Sequence, residues 1–160
     1  MVALVFAGSS VKLGWADECD ALLFAYLPGQ AGARAALDLV TGRAVPSGKL
    51  AETFPFKYHD CSSKNNFPGK EKTVEYREGI YIGYRYYDTA SVSVKYPFGY
   101  GLSYTTFAYS DYEVNEKGVS FTIENTGDYD GKEIAELYVS MVNGKVFRPV
   151  KELKGYKKVF

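Results

Sequence analysis

"PFGYGLSYTTF", residues 97–107, sets four aromatics, one proline and two glycines into eleven positions. Neither a helix nor a central strand favours that composition, because glycine weakens both and proline removes a backbone donor. The character of the sequence also changes here. Before it, apolar positions fall at helical spacing or in short continuous runs; after it, they alternate every second residue. In residues 119–124, Val119, Phe121 and Ile123 point one way and Ser120, Thr122 and Glu124 the other, before "NTGDYDG" breaks the run. Ala135, Leu137, Val139 and Met141 repeat the pattern. The reading is a half-buried antiparallel sheet with a turn every ten residues or so, as in an immunoglobulin-like sandwich.

Upstream of the switch the pattern is α/β. Residues 1–8, "MVALVFAG", and 21–27, "ALLFAYL", read as strands, the second buried on both faces. The first lacks a basic leader and is far shorter than the roughly 20 residues that span a bilayer. A helix is expected over 30–41, with Ala33, Ala36, Leu37 and Val40 on one face and Gly42 as its left-handed stop. Residues 57–72, "KYHDCSSKNNFPGKEK", read as a surface loop. A sandwich needs about seven strands and ~100 residues, and the stretch after Thr106 has room for about four. The α/β part is equally short. Both ends read as incomplete, so the chain is expected to be a piece of something larger.

Composition excludes little. The chain has 160 residues, 46% hydrophobic, with 19 basic and 19 acidic side chains, so nothing points to nucleic acid or a membrane. From Lys145 onward the chain is basic, with Glu152 its one acid; it reads as a solvated strand face, with attraction of a polyanion as the alternative.

Candidate chemistry is sparse. Cys19 and Cys61 have no metal-like spacing and read as free thiols, and the lone His59 reads as solvated. "PGQAGA" lacks the second glycine of a nucleotide-binding loop and reads as a strand-to-helix turn. Arg85, flanked by Tyr84, Tyr86 and Tyr87, is expected to pack on rings or pair with Glu78 or Asp88, a sugar contact being the alternative. Glu75 and Glu78 invite reading as an acid–base pair, but on an extended segment their spacing puts them on opposite faces.

The joints carry a resemblance. "YLPGQAGARAALDLVTGRAVPSGKLAETFP" (26–55), "YREGIYIGYRYYD" (76–88), "YPFGYGLSYTTF" (96–107), "ENTGDYDGKEIAELYVS" (124–140) and "RPVKELKGYKKV" (148–159) together resemble glycoside hydrolase family 3, the β-glucosidase type. The resemblance implies a (β/α)8 barrel, an α/β sandwich domain and often a fibronectin type III-like domain. This chain then maps as 1–56, the C-terminal part of the α/β sandwich; 57–105, a loop and interdomain connector; and 106–160, the N-terminal part of the fibronectin type III-like domain. The intact parent is expected to hydrolyse terminal β-linked sugars with retention, its partners being a β-linked oligosaccharide or glycoside and the missing barrel domain. The family's nucleophilic aspartate lies on the barrel, and its acid/base glutamate precedes the strand matched by 1–7. No catalytic, cofactor-binding or metal-binding residue is therefore assigned here, and no cofactor is implied.

On that reading, Phe98, Tyr100 and Tyr104 fill the crevice between two domains. The alternative is a tyrosine platform stacking on sugar, in a noncatalytic glycan- or protein-binding module.

Overall fold

The computed structural model describes residues 1–69 and 72–160; positions 70 and 71 of the expected 57–72 loop lie outside the described residues. Strands β1 (Val2–Val5) and β2 (Ala21–Phe24) pair in parallel, with Leu4 beside Leu23 and Val5 beside Phe24. Two-residue alternation turns Val5, Leu22 and Phe24 toward Leu13, Ala16 and Phe54, which form the core of this part. Phe54 is 1% exposed, and the Phe24 ring meets it edge-on at 4.8 Å.

The other side of the pair differs from expectation. Val2 and Leu4 are exposed, Leu4 at 43%, although the apolar runs of both strands predict burial. A continuous apolar run implies covering layers on both faces; among the described residues only one face has them.

Helix α1 (Gly32–Val40) forms where its spacing predicts, and Gly42 ends it at φ +74°. Gly32 packs so closely on Pro28 that any Cβ would collide with the proline ring. The buried face is not the one the spacing predicts. Gly32 and Ala36 turn inward, whereas Ala33, Leu37 and Val40 form an exposed stripe, Leu37 at 55%. Positions 33, 37 and 40 share one side of a 3.6-residue helix and Ala36 stands about 100° from Leu37, so the sequence shows the apolar stripe but not its cover.

Within 57–105 the structure holds more than loop. Helix α2 (Tyr84–Thr89) and strand β4 (Val94–Tyr96) lie there, and β4 pairs antiparallel with β3 (Phe54–Pro55), carrying the chain back to the first core.

After the switch, β5 (Phe107–Asn115) pairs with β6 (Gly118–Asn125), and β7 (Glu133–Val139) with β8 (Glu152–Val159), both antiparallel. The expected alternation holds in β6, where Phe121 and Ile123 are half-buried between exposed Ser120, Thr122 and Glu124, but not in β7, where Ala135 is buried while Leu137 and Val139 are exposed and Glu136 and Tyr138 are the more covered. A bulge between Ser110 and Glu113, with Asp111 at φ 53°, lets Tyr112 join the row of Tyr109 and Phe121, with ring centroids 5.8 and 6.2 Å apart. Few helices and several strand pairs thus make up the fold. Its surface of 11,727 Å² is large; a compact monomer of this mass exposes about 8,000 Å².

Candidate functional site

The connector at 97–105 joins both halves. On one side, Gly99 N donates to Leu50 O and Leu50 N donates to Tyr100 O, each at 2.8 Å, a strand-like clasp outside any sheet. Lys49 Nζ donates to Gly101 O at 3.3 Å, and Tyr104 Oη donates to Leu39 O at 2.9 Å, reaching the end of α1. Gly101 lies against the Gly48 carbonyl too closely for a Cβ.

On the other side, the Phe98 ring lies 5.0 Å from Tyr84, which meets Tyr138 of β7 edge-on at 5.7 Å. Gly99 lies against the Glu136 carboxylate, which accepts from Tyr138 Oη at 2.6 Å. A mostly buried ion pair, Lys49–Glu133 at 3.1 Å with side chains 19% and 12% exposed, links the same two halves. Thr105 is buried and its hydroxyl meets Asn125 Oδ1 at 2.6 Å. The connector therefore docks as expected, between the α/β residues and the β hairpins. Of its three rings, Phe98 is half-buried against Tyr84, Tyr100 lies tilted on Tyr96 at 5.2 Å, and Tyr100 and Tyr104 stay partly exposed.

Helix α2 locks onto β8. Leu153 N donates to Tyr84 Oη at 2.7 Å, Val150 N donates to Thr89 Oγ1 at 3.2 Å, and Lys151 pairs with Asp88 at 3.1 Å. Asp88 is thus taken by Lys151, just before β8, and of the two expected placements of Arg85, on rings or beside a carboxylate, the structure favours the rings. The Arg85 guanidinium lies 6.0 Å from the Tyr84 ring centroid, and its Nε is buried with no hydrogen-bond partner among the described residues.

Glu75 and Glu78 also depart from expectation. The chain turns just beyond them, where Tyr81 N donates to Glu78 O at 3.0 Å. Both glutamates line the wall of one open cleft of about 300 Å³, with Asn66, Phe67 and Tyr76. Glu75 is ion-paired with Arg77.

His59 is exposed beside Tyr58, and Cys19 and Cys61 are unbonded to each other. Among the described residues no cluster of His, Cys, Asp or Glu could hold a metal, and no helix is long and apolar enough to cross a membrane. "PGQAGA" is the turn into α1, with Gly29 at φ +69°.

Burial, then a hydrogen bond to Glu133, pushes the Tyr109 hydroxyl up to about 12. Burial and Glu136 likewise raise Tyr138, and burial and Cys61 raise Tyr87. The Lys49–Glu133 and Tyr138–Glu136 contacts carried no signal in the sequence, because spacing along the chain does not reveal which side chains a fold turns toward each other.

The model of the Glycosyl hydrolase family 3 C-terminal domain matches residues 1–84, more than half the chain. The chain belongs to this family of glycoside hydrolases. It is 48% identical over 168 aligned positions to the thermostable beta-glucosidase B of Acetivibrio thermocellus, covering all of this chain and 22% of that protein. Identity to an exo-alpha-(1->6)-L-arabinopyranosidase of Bifidobacterium breve is 42%, again with 22% of that protein covered. Beta-glucosidase 3B from Thermotoga neapolitana, solved in complex with glucose, superposes with TM-score 0.94 and 45% identity over 99% of this chain and 23% of its own. The chain thus spans about a fifth of the length of the relatives it matches.

Proposed function

We propose that this chain is part of a retaining β-glycosidase, β-glucosidase-like, that hydrolyses terminal β-linked sugars. Residues 1–56 are the end of its α/β sandwich domain, 57–105 the connector, and 106–160 the start of its fibronectin type III-like domain. The observation that carries this reading is the superposition on the glucose-bound Thermotoga neapolitana enzyme across 99% of the chain. In the parent, an aspartate forms the glycosyl-enzyme, and a glutamate protonates the leaving oxygen and then activates water. Neither carboxylate lies in these residues. The role of this chain is positional: the connector and the Lys49–Glu133 pair hold two domains in fixed relation.

The purified 160-residue chain should release no chromogenic aglycone from an aryl β-glucoside. Enzymes lower such barriers by ~8 kcal/mol or more, chiefly through positioned charge and covalent capture. Surface binding that holds substrate and transition state equally gives no acceleration. Turnover abolished by one substitution at Glu75, Glu78 or Asp88 would overturn the reading.

The second reading, a noncatalytic module that binds glycan or protein through tyrosines, is favoured by Tyr76, 90% exposed, with Tyr112 and Tyr156 also open. These stand on a loop, β5 and β8, and a β-linked oligosaccharide titrated against tyrosine fluorescence separates the readings.

A further inference from the structure

We infer that the guanidinium groups of Arg85 and Arg148 and the Tyr81 hydroxyl form a binding site for a tetrahedral oxyanion, phosphate or sulfate, where α2 meets the entry to β8. The site stands apart from the glycosidase reading and uses none of its chemistry.

The residues are gathered by contacts around Tyr84. Its hydroxyl accepts from Leu153 N at 2.7 Å, the Arg85 guanidinium lies 6.0 Å from its ring centroid, and the Tyr81 ring lies 5.5 Å from Phe147, the neighbour of Arg148. Residues 81–85 therefore face residues 147–154. Glu152 lies among the same cations: a hydrogen bond from Lys154 first, then the charges of Lys154, Arg85 and Arg148, hold its carboxyl below the ordinary value.

Arg85 Nε and Tyr81 Oη are both buried here with no hydrogen-bond partner among the described residues. Buried donors are paired in nearly all native structures, and an orphaned one points to a bound water or ion. The charges decide between the two. Lys151 is neutralised by Asp88 and Lys154 by Glu152, whereas Arg85 and Arg148 have no ion-pair partner among the described residues. A guanidinium keeps its charge at any pH near neutral, so a water would fill a hydrogen bond and leave two like charges uncompensated. An oxyanion answers both needs.

Charge and shape then select its class. Two unpaired guanidinium groups balance a dianion, and each presents planar donors that match a pair of oxygens on phosphate or sulfate. A carboxylate would balance only one of them. Arg148 is exposed and opens the place to solvent, while Arg85 Nε and Tyr81 Oη stand shielded behind it. The basic run from Lys145 onward adds a positive field that draws an anion in.

The test titrates inorganic phosphate calorimetrically into the 160-residue chain, with ionic strength held constant by sodium chloride. Saturable binding is expected. Arg148→Gln, at an exposed position, should weaken it at least about fivefold, and so should Arg85→Lys, which keeps the charge and loses the planar fork. Tyr81→Phe should weaken it at least about twofold. Lys157→Gln, elsewhere on β8, should leave it unchanged, and sulfate should compete. Glucose 6-phosphate separates the sources: equal affinity assigns the site to phosphoryl groups on larger ligands as well, and affinity about tenfold weaker than that of phosphate assigns it to the free ion. No heat beyond the chloride control, unchanged affinity in both Arg148→Gln and Arg85→Lys, or an equal loss in Lys157→Gln overturns the site and leaves only diffuse attraction to basic surface.

Discussion

Gly101 shows how one residue constrains the connector. A Cβ there would meet the Gly48 carbonyl oxygen, a backbone atom with no rotamer to escape into. At Gly29, by contrast, the space is open and only the left-handed φ of +69° resists a side chain. Gly101→Ala should loosen the clasp by about 1–3 kcal/mol, seen as an about five- to 160-fold faster proteolytic cut in 97–105. Gly29→Ala should leave that cut unchanged. Equal rates for the two variants would show that the clasp is not tight.

Tyrosines at the junction set a pH limit. Unfolded tyrosine titrates near 10, while Tyr109 is pushed up to about 12 by burial first and Glu133 second, and Tyr138 is raised by burial and Glu136. Below a pH of about 10 both states keep the proton and the stabilisation is whole. As pH rises from there through the folded values, the unfolded chain releases protons first and stability falls. Tyr138→Phe, which has no proton to lose, should move the alkaline midpoint of the near-ultraviolet circular dichroism upward. A downward move would refute the raised hydroxyl.

Elements came through the sequence unevenly. Helix α1 was readable from its spacing and Gly42, and β6 and β7 from alternation and turns, because each signal repeats within one segment. Strands β3 and β4 span two and three residues and exist through each other, far apart in the chain, so neither had a period to read. Helix α2 is likewise too short for a periodic face; what holds it is Tyr84, whose hydroxyl accepts from Leu153 N, and Thr89, which accepts from Val150 N. Tyr84→Phe strands a part-buried N–H, costing about 1–3 kcal/mol. Hydrogen exchange at the Leu153 amide should accelerate at least about fivefold, and an unchanged rate would mean that α2 does not hold β8.

At the scale of the molecule, the surplus surface dominates. Val2, Leu4, Leu37 and Val40 on the α/β side and Tyr112 and Val114 on β5 stand open, and the sheets are all two-stranded among the described residues. Isolated pairs of strands are marginal in water, and open edges invite pairing. The chain alone should bind a hydrophobic dye, elute as oligomers and melt broadly; a clean monomer with a cooperative melt would contradict this. The sequence by itself determined the family, the strand alternation, the helix and the place where one regime gives way to the other, since all of these are local patterns or ordered motifs. Only the tertiary structure decided which apolar faces are covered, that Asp88 pairs with Lys151, which of the two expected placements Arg85 takes, and that Glu75 and Glu78 share one cleft. Those outcomes depend on which distant segment arrives beside a residue, and the spacing of neighbours along the chain does not encode that.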